Sequence, residues 1–416
     1  MQAEFTAPAT PMTAALIRAP RHTALRYTLA LYAIHLTLFT LIAVGISALF
    51  PKTAVERQIA VWPPSAPLGA WLDRVVLHSV QRYDVNWYLG IAEHGYGHKA
   101  GDTAFHPAFP VLGGLLGRAL GGRYDLGLWL VNQICCVAML VVLYTLVQQR
   151  YDVGTARRAT LLLMCSPLGF VFLMPYTESM LLLGIVGAML AAARGHWLVA
   201  GACGALAVLT KQPGAVVALP VLYELWQREG ANLRAGRVRG TLHGLAGVAL
   251  IPLGLAGWLV YRGTLGDVMF DWSQPQTLVS ALLVSPDFAN IWTEYFSWPW
   301  VNAGYALDQM ATRPYYDLVI NVVLMLAMLV VACRAIWRQR GGAAIFTAVI
   351  ILLNLSIVFP EYPYMSVVRR FTIIYPIFIQ LALWSHERKV LVRMVELQAV
   401  CWIAIAAMVV RNSYVP

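Results

Sequence analysis

Eleven apolar runs, separated by short polar gaps, constrain this chain more than any other feature. They cover residues 27–50, 126–147, 159–174, 180–193, 197–210, 214–226, 242–260, 318–335, 343–359, 371–384 and 394–410. A helix needs about 20 apolar residues to cross the hydrocarbon of a bilayer. Several runs are shorter than that, so tilted or half-depth helices are expected among them. Charge content points the same way. Only 12% of residues are charged and the mean hydropathy is +0.65, whereas soluble domains carry roughly 25% charged residues. Charges are excluded from segments whose solvent is hydrocarbon. The expected fold class is an all-α polytopic membrane protein with about 11 transmembrane helices.

The basic residues fix a topology. Arg18, Arg21 and Arg26 precede the first run and place the N-terminus inside by the positive-inside rule. Alternation then puts Arg150, Arg157, Arg158, Arg194, Arg228, Arg234, Arg237, Arg239, Arg334, Arg338, Arg340, Arg388, Lys389 and Arg393 on the same side. The net charge of +10 is thus spent on topology and lipid headgroups, and nucleic acid is not expected as a partner. The other side receives two large loops, 51–125 and 262–317, and short turns at 175–179, 211–213 and 360–370. The stretch 105–120 is short and rich in Gly and Pro, and counting it as a span would spoil the alternation, so it reads as an interfacial helix. The chain is expected to form one integral membrane domain over 1–416. Its parts are the first outer loop with interfacial helices (51–125), the rest of a core helical module (126–260), and the second outer loop with C-terminal helices (261–416). The inner loops are short, with no phosphate loop. Any chemistry is therefore expected on the outer side, without ATP or a nucleotide sugar.

The triplet Arg-Tyr-Asp occurs three times, at Arg82-Tyr83-Asp84, Arg123-Tyr124-Asp125 and Arg150-Tyr151-Asp152. Unequal spacing argues against a repeat architecture, and topology separates the copies. The third lies inside, with Asp152 placed to cap the next helix, and the second abuts a span. Only the first sits in an extended loop, "RYDVNWYLGIAEHGY", with apolar residues at helical spacing. There Trp87 and Tyr88 follow Asp84 by three and four positions, on one helix face. A carboxylate beside aromatic rings suits a sugar site, with the carboxylate accepting a proton from an attacking hydroxyl. An amphipathic surface helix with belt aromatics would read the same way. His106 in "AFHPAFPVL" is either a belt or packing residue or an acid/base group. "MPYTESM" sets Glu178 at the outer end of a hairpin, where a carboxylate at membrane depth needs a partner. "LTKQPG" aims Lys211 at the same surface, with Pro213-Gly214 breaking the helix. Arg369 and Arg370 oppose the positive-inside trend, which suggests either phosphate ligands or lipid-headgroup anchors. Arg82 joins this set of candidate phosphate-binding cations.

These groups suit a polyprenyl-phosphate sugar, with its tail in the bilayer and its phosphate against Arg or Lys. Cations already in place would stabilise the charge that grows on the leaving phosphate. "RYDVNWYLGIAEHGY" followed by "AFHPAFPVL", then "PYTESM" and "LTKQPG", resembles the second mannosyltransferase of glycosylphosphatidylinositol-anchor assembly and its bacterial homologues. The resemblance runs from about residue 80 to 215. It implies a GT-C-type fold and an inverting glycosyltransferase, in the first instance a mannosyltransferase, that uses a polyprenyl-phosphate donor. Asp84 matches the family's aspartate and would be the general base. Glu178 matches its turn glutamate, and Lys211 its basic turn residue. Tyr83 stands where the family has Trp, His106 where it has Phe, and Lys211-Gln212-Pro213 where it has an Arg-containing turn. Arg369 and Arg370 are assigned by placement alone.

The rival reading is a transporter or flippase of lipid-linked sugar. That class carries inverted repeats and ionisable residues at mid-membrane, and the polar residues here gather at one side instead. No obligatory cofactor is expected; Asp84 and Glu178 would be the pair to share a divalent ion. All six cysteines lie in apolar runs and read as small hydrophobes. No cleavable signal pattern opens the chain. Arginine far outnumbers lysine, which hints at a GC-rich bacterial genome. The expected location is a bacterial inner membrane with an outward-facing site, or the endoplasmic reticulum with a lumenal site in a eukaryote. A monomer surrounded by membrane lipids is expected.

Overall fold

The computed structural model describes residues 21–50, 77–266, 294–313, 315–411 and 413–414. The expected inner placement of Arg18 and much of both outer loops (51–76 and 267–293) lie outside the described residues. All eleven apolar runs hold a helix. In chain order the helices are α1 (Arg21–Leu49), α2 (Asp84–His94), α3 (Ala108–Ala119), α4 (Tyr124–Arg150), α5 (Val153–Cys165), α6 (Glu178–Ala193), α7 (Trp197–Thr210) and α8 (Ala218–Arg234). They continue with α9 (Arg239–Thr264), α10 (Pro299–Thr312), α11 (Tyr316–Gln339), α12 (Gly341–Ser356), α13 (Val367–Phe371), α14 (Tyr375–Trp384) and α15 (Arg388–Val410). Two short strands, β1 (Tyr295–Phe296) and β2 (Ile357–Val358), pair antiparallel.

Five helices, α1, α4, α9, α11 and α15, are long and apolar enough to cross a membrane by length and composition. Their outer faces carry large exposed side chains such as Ile134, Val330, Leu397 and Val400. Such continuous apolar surface suits lipid as the solvent. α3, α6, α7, α12 and α14 are apolar but shorter. α3 has 12 residues, a rise of about 18 Å, so it falls well short of a bilayer's hydrocarbon. The reading of 105–120 as a non-spanning element agrees with that length.

The two ends of the bundle segregate as the charge alternation requires. At one end Arg150 pairs with Glu224, Tyr27 donates to the Arg157 carbonyl, and Arg158 donates to the Ala382 carbonyl. Asp152 accepts from the Thr155 amide at 2.9 Å and so caps α5. At the other end the outer turns converge on the residues described below.

α4 is the reference element. Half of its most apolar stretch is buried, against 28% or less for the other four long helices. Its polar side chains Asn132 and Gln133 donate to the carbonyls of Phe172 and Leu173. Ser179 donates to the Phe172 carbonyl as well, so the turn leading into α6 is held on three bonds. Glycines set how closely α3 lies on α4. A Cβ at Gly127 would stand 2.4 Å from the Gly113 carbonyl oxygen and 2.6 Å from the Gly117 nitrogen. On the other side of α3, a Cβ at Gly114 would stand 2.8 Å from the Ala92 carbonyl oxygen of α2. Backbone contact through small residues therefore carries the position of α2 back to the central helix. Gly127→Val is expected to force α3 outward at a cost of about 1–3 kcal/mol, typical of overpacking. A lowered thermal unfolding midpoint in detergent, with α2 becoming protease-sensitive, is the outcome that checks it.

Candidate active site

Three turns and one helical turn, all at the same end of the bundle, converge on a cavity of about 190 Å³. Asp84 opens α2, directly after Tyr83, whose φ of 50° is unusual for a residue with a side chain. Across the cavity α13 carries Arg369 and Arg370, and it too follows left-handed residues, Tyr364 and Ser366. Strain on both sides of one contact, at about 1–3 kcal/mol per residue, persists where the surroundings over-determine it.

That contact is an ion-pair chain. The Arg369 guanidinium donates through Nε to Glu178 Oε1 at 2.8 Å and through a terminal nitrogen to Asp84 Oδ2. Its plane lies over the Tyr176 ring, 4.4 Å from the centroid. Lys211 Nζ donates to the same Glu178 oxygen at 3.0 Å. Lys211 is extended, with φ −162° and ψ 141°, at the end of α7, and the following turn doubles back so tightly that a Cβ at Gly214 would lie 2.3 Å from the Ala207 carbonyl. Arg369 stands between Asp84 and Glu178, in the position a shared divalent ion would take.

The two carboxylates differ in access. Glu178 is 1% exposed and does not line the cavity, whereas the Asp84 side chain is 30% exposed and does. Burial acts to raise the Glu178 pKa, but Arg369 and Lys211 outweigh it and hold the carboxyl below its usual range. Burial pulls the Lys211 amine down, with Glu178 opposing. Glu178 is therefore an anionic anchor for two cations, and Asp84 is the carboxylate that faces the cavity.

Tyr88, His106, Lys211, Arg369 and Arg370 also line the cavity. Tyr88 packs edge-on against Phe105 and Phe109. His106 Nδ1 donates to the Val208 carbonyl at 2.5 Å. Burial first, then Arg262 and Lys211, lowers its pKa to about 4, so the ring is neutral. Arg82 and Trp87 lie elsewhere. Arg82 donates to the Val410 carbonyl at 3.2 and 3.3 Å, tying α2 to the end of α15. Trp87 stacks on Phe105 and has Lys99 4.0 Å above its ring. Two charged lining residues were missed in the sequence, Arg262 at the end of α9 and Glu294 before β1. Arg262 carried a usable signal, a lone cation at an outer helix end.

Residues 110–253 match the family model of the dolichyl-phosphate-mannose-protein mannosyltransferases. The match covers about a third of the chain and contains Glu178 and Lys211, but neither Asp84 nor Arg369. It supports the resemblance carried by "PYTESM" and "LTKQPG" and the class it implies, a GT-C membrane glycosyltransferase. No curated protein sequence matches the chain. Among solved structures, the apo oligosaccharyltransferase of Archaeoglobus fulgidus is 15% identical, with a TM-score of 0.48 over 92% of this chain and 56% of that one. The archaeal enzyme in complex with an inhibitory peptide and a dolichol-phosphate is 14% identical, with a TM-score of 0.44 over 92% and 56%. This chain thus spans little more than half the length of those proteins.

The ion-pair chain predicts an order of stabilities. Glu178→Ala leaves the buried Arg369 and the half-buried Lys211 without their shared carboxylate, and loss of one partner from a buried pair costs about 3–5 kcal/mol. Asp84→Asn removes a partly solvated carboxylate and keeps the amide in place. Thermal unfolding in detergent is expected to show a large drop for Glu178→Ala and a small one for Asp84→Asn.

Proposed function

We propose that this chain is an inverting glycosyltransferase that moves a sugar, in the first instance mannose, from a polyprenyl-phosphate donor to a lipid, glycan or protein acceptor at the outer face of the membrane. The observation that carries the reading is Asp84 lining the cavity, held by Arg369, with Lys211 and Arg370 lining it too. The cavity is smaller than the roughly 300–1,000 Å³ of sites that enclose a whole drug-sized ligand. It suits a head group, with the lipid tail left outside among the apolar helices. The donor phosphate lies against the basic wall, where charge grows on it as the glycosidic bond breaks. Preset cations stabilise that charge without reorganising. In the empty site Arg369 is hydrogen-bonded to Asp84. When the phosphate competes for the guanidinium, Asp84 is released to take the proton of an acceptor hydroxyl that attacks the opposite face of the sugar, inverting the anomeric centre. Arg370 binds the phosphate alongside, and Tyr88 and His106 border the sugar. Glu178 serves by orienting Lys211 and Arg369.

The charged groups gather at one end of the bundle, and this favours transfer over transport, which would place ionisable groups at mid-membrane. The test uses the full chain in vesicles with radiolabelled polyprenyl-phosphate mannose and membrane lipids. Label is expected to move to a new acceptor. Asp84→Asn is expected to lower transfer by at least ~10²-fold, the usual contribution of a general base, while donor binding persists. Asp125→Asn and Asp152→Asn are expected to transfer normally. Turnover retained in Asp84→Asn overturns the assignment of the base, and label crossing the vesicle without transfer favours a flippase.

A further inference from the structure

A second carboxylate lines the cavity beside Asp84, Glu294, for which the proposed transfer has no use. Its place is set by strand register. Tyr295 pairs with Val358 and Phe296 with Ile357, so Glu294 falls opposite Phe359, which also lines the cavity. The ladder is anchored on both sides. The Asn302 side chain donates to the Ile357 carbonyl at 3.1 Å, and Gln309 donates to the carbonyls of Pro360 and Glu361. Next to Phe359 lies Arg370, with its guanidinium 5.7 Å from the ring centroid.

Arg370 is engaged differently from the other basic groups of the ion-pair chain. Lys211 and Arg369 donate to Glu178, and Arg369 also to Asp84. Arg370 donates one terminal N–H to the Met365 carbonyl at 2.9 Å, and its buried Nε has no partner among the described residues. Glu294 and Arg370 line the same cavity; burial acts first to lower the Arg370 pKa, and the Glu294 carboxylate opposes it while Arg369 adds to it.

We propose that Glu294 is a displaceable counter-ion: it neutralises Arg370 in the empty cavity, and an incoming lipid phosphate takes the guanidinium over from it. This rests on the reading that the cavity accepts a lipid phosphate. Glu294 is then a positioning residue that acts through Arg370 and sets how tightly the phosphate is held.

A pH dependence follows. Burial raises the Glu294 pKa to about 7, with Arg370 and Lys211 only partly offsetting it. Below that pH the neutral acid leaves Arg370 to the phosphate; above it the carboxylate competes. Affinity for a phosphate monoanion therefore falls as pH rises through neutrality. The other groups facing the cavity are Asp84, His106, Lys211, Arg262 and Arg369, with Glu178 behind. Asp84 and Glu178 are ion-paired with Arg369, and His106 is neutral throughout this range. Any loss of charge at Lys211 at alkaline pH is shared by the wild type and a Glu294 variant, so their difference isolates Glu294.

The probe is a farnesyl methyl phosphodiester, which keeps a single negative charge across the range and needs no transfer. Its binding to the full chain in detergent is measured between pH 6 and 8.5. Wild-type affinity is expected to weaken on the order of tenfold over this interval, as a group titrating near neutrality requires. Glu294→Gln is expected to bind with a clearly shallower profile than wild type and about tenfold tighter at pH 8.5, and Glu294→Ala to match it. If both variants keep the wild-type slope, the role of Glu294 is overturned while the lipid-phosphate reading stands. If the wild type binds no probe at any pH, that reading fails and the Glu294 role with it.

Discussion

Arg369 has to satisfy two carboxylates at once, and the end of the bundle that holds the cavity is arranged around that requirement. Its partners come from the start of α2 and the start of α6, 285 and 191 residues away in the chain. Lys211, from the turn after α7, completes the set. A buried ion costs several kcal/mol after relaxation, and attraction offsets this only with good geometry and full hydrogen bonding. Four separate segments are thereby held to one another, and small displacements of any of them leave a charge unpaired. The left-handed residues Tyr83, Tyr364 and Ser366 sit where the chain must bend to deliver Asp84 and Arg369 to the same point.

The remainder of the bundle supplies the rigidity this arrangement needs. α4 fixes the turn before Glu178 through Asn132 and Gln133, and fixes α3, hence α2, through glycine contacts. Both carboxylates that meet Arg369 are thus referenced to one helix. Arg82 adds a second tie, from the start of α2 to the last carbonyl of α15. It is close to Asp84 in sequence yet faces away from the cavity, so its contribution is to the placement of α2.

How much of this was readable from residues alone follows from which interactions are local. Apolar runs and arginine alternation depend on the solvent each segment meets, so the helices and the two ends were legible. Asp84, Glu178 and Lys211 stood out because charges at membrane depth are rare, and Arg369 and Arg370 because they break the charge trend. The notional helix face shared by Asp84, Trp87 and Tyr88 was only half useful. Tyr88 lines the cavity, but the Trp87 ring is taken by Phe105 and Lys99. Cys333 lies exposed on α11, unlike the buried trio Cys135, Cys136 and Cys165. Glu294 was illegible because a two-residue ladder to a strand more than sixty residues later brings it there. The burial that separates Glu178 from Asp84 is likewise a tertiary property.

That separation gives the site its chemical sense. Four cations, Lys211, Arg262, Arg369 and Arg370, border the cavity. Three carboxylates answer them, Asp84 and Glu294 on the wall and Glu178 behind it. With all ionised, one positive charge remains in excess, which is the charge of one phosphodiester with the sign reversed. A fully neutral cluster would repay phosphate binding only by breaking existing pairs, and a more basic one would hold the phosphate after the sugar had left. In the proposed transfer, the phosphate would gain charge as the glycosidic bond breaks, just as Asp84 would gain a proton and lose its own. Under that proposal the negative charge would move from the carboxylate to the phosphate while the basic groups stay fixed, and Arg369, already paired with Asp84, would stabilise it before and after transfer.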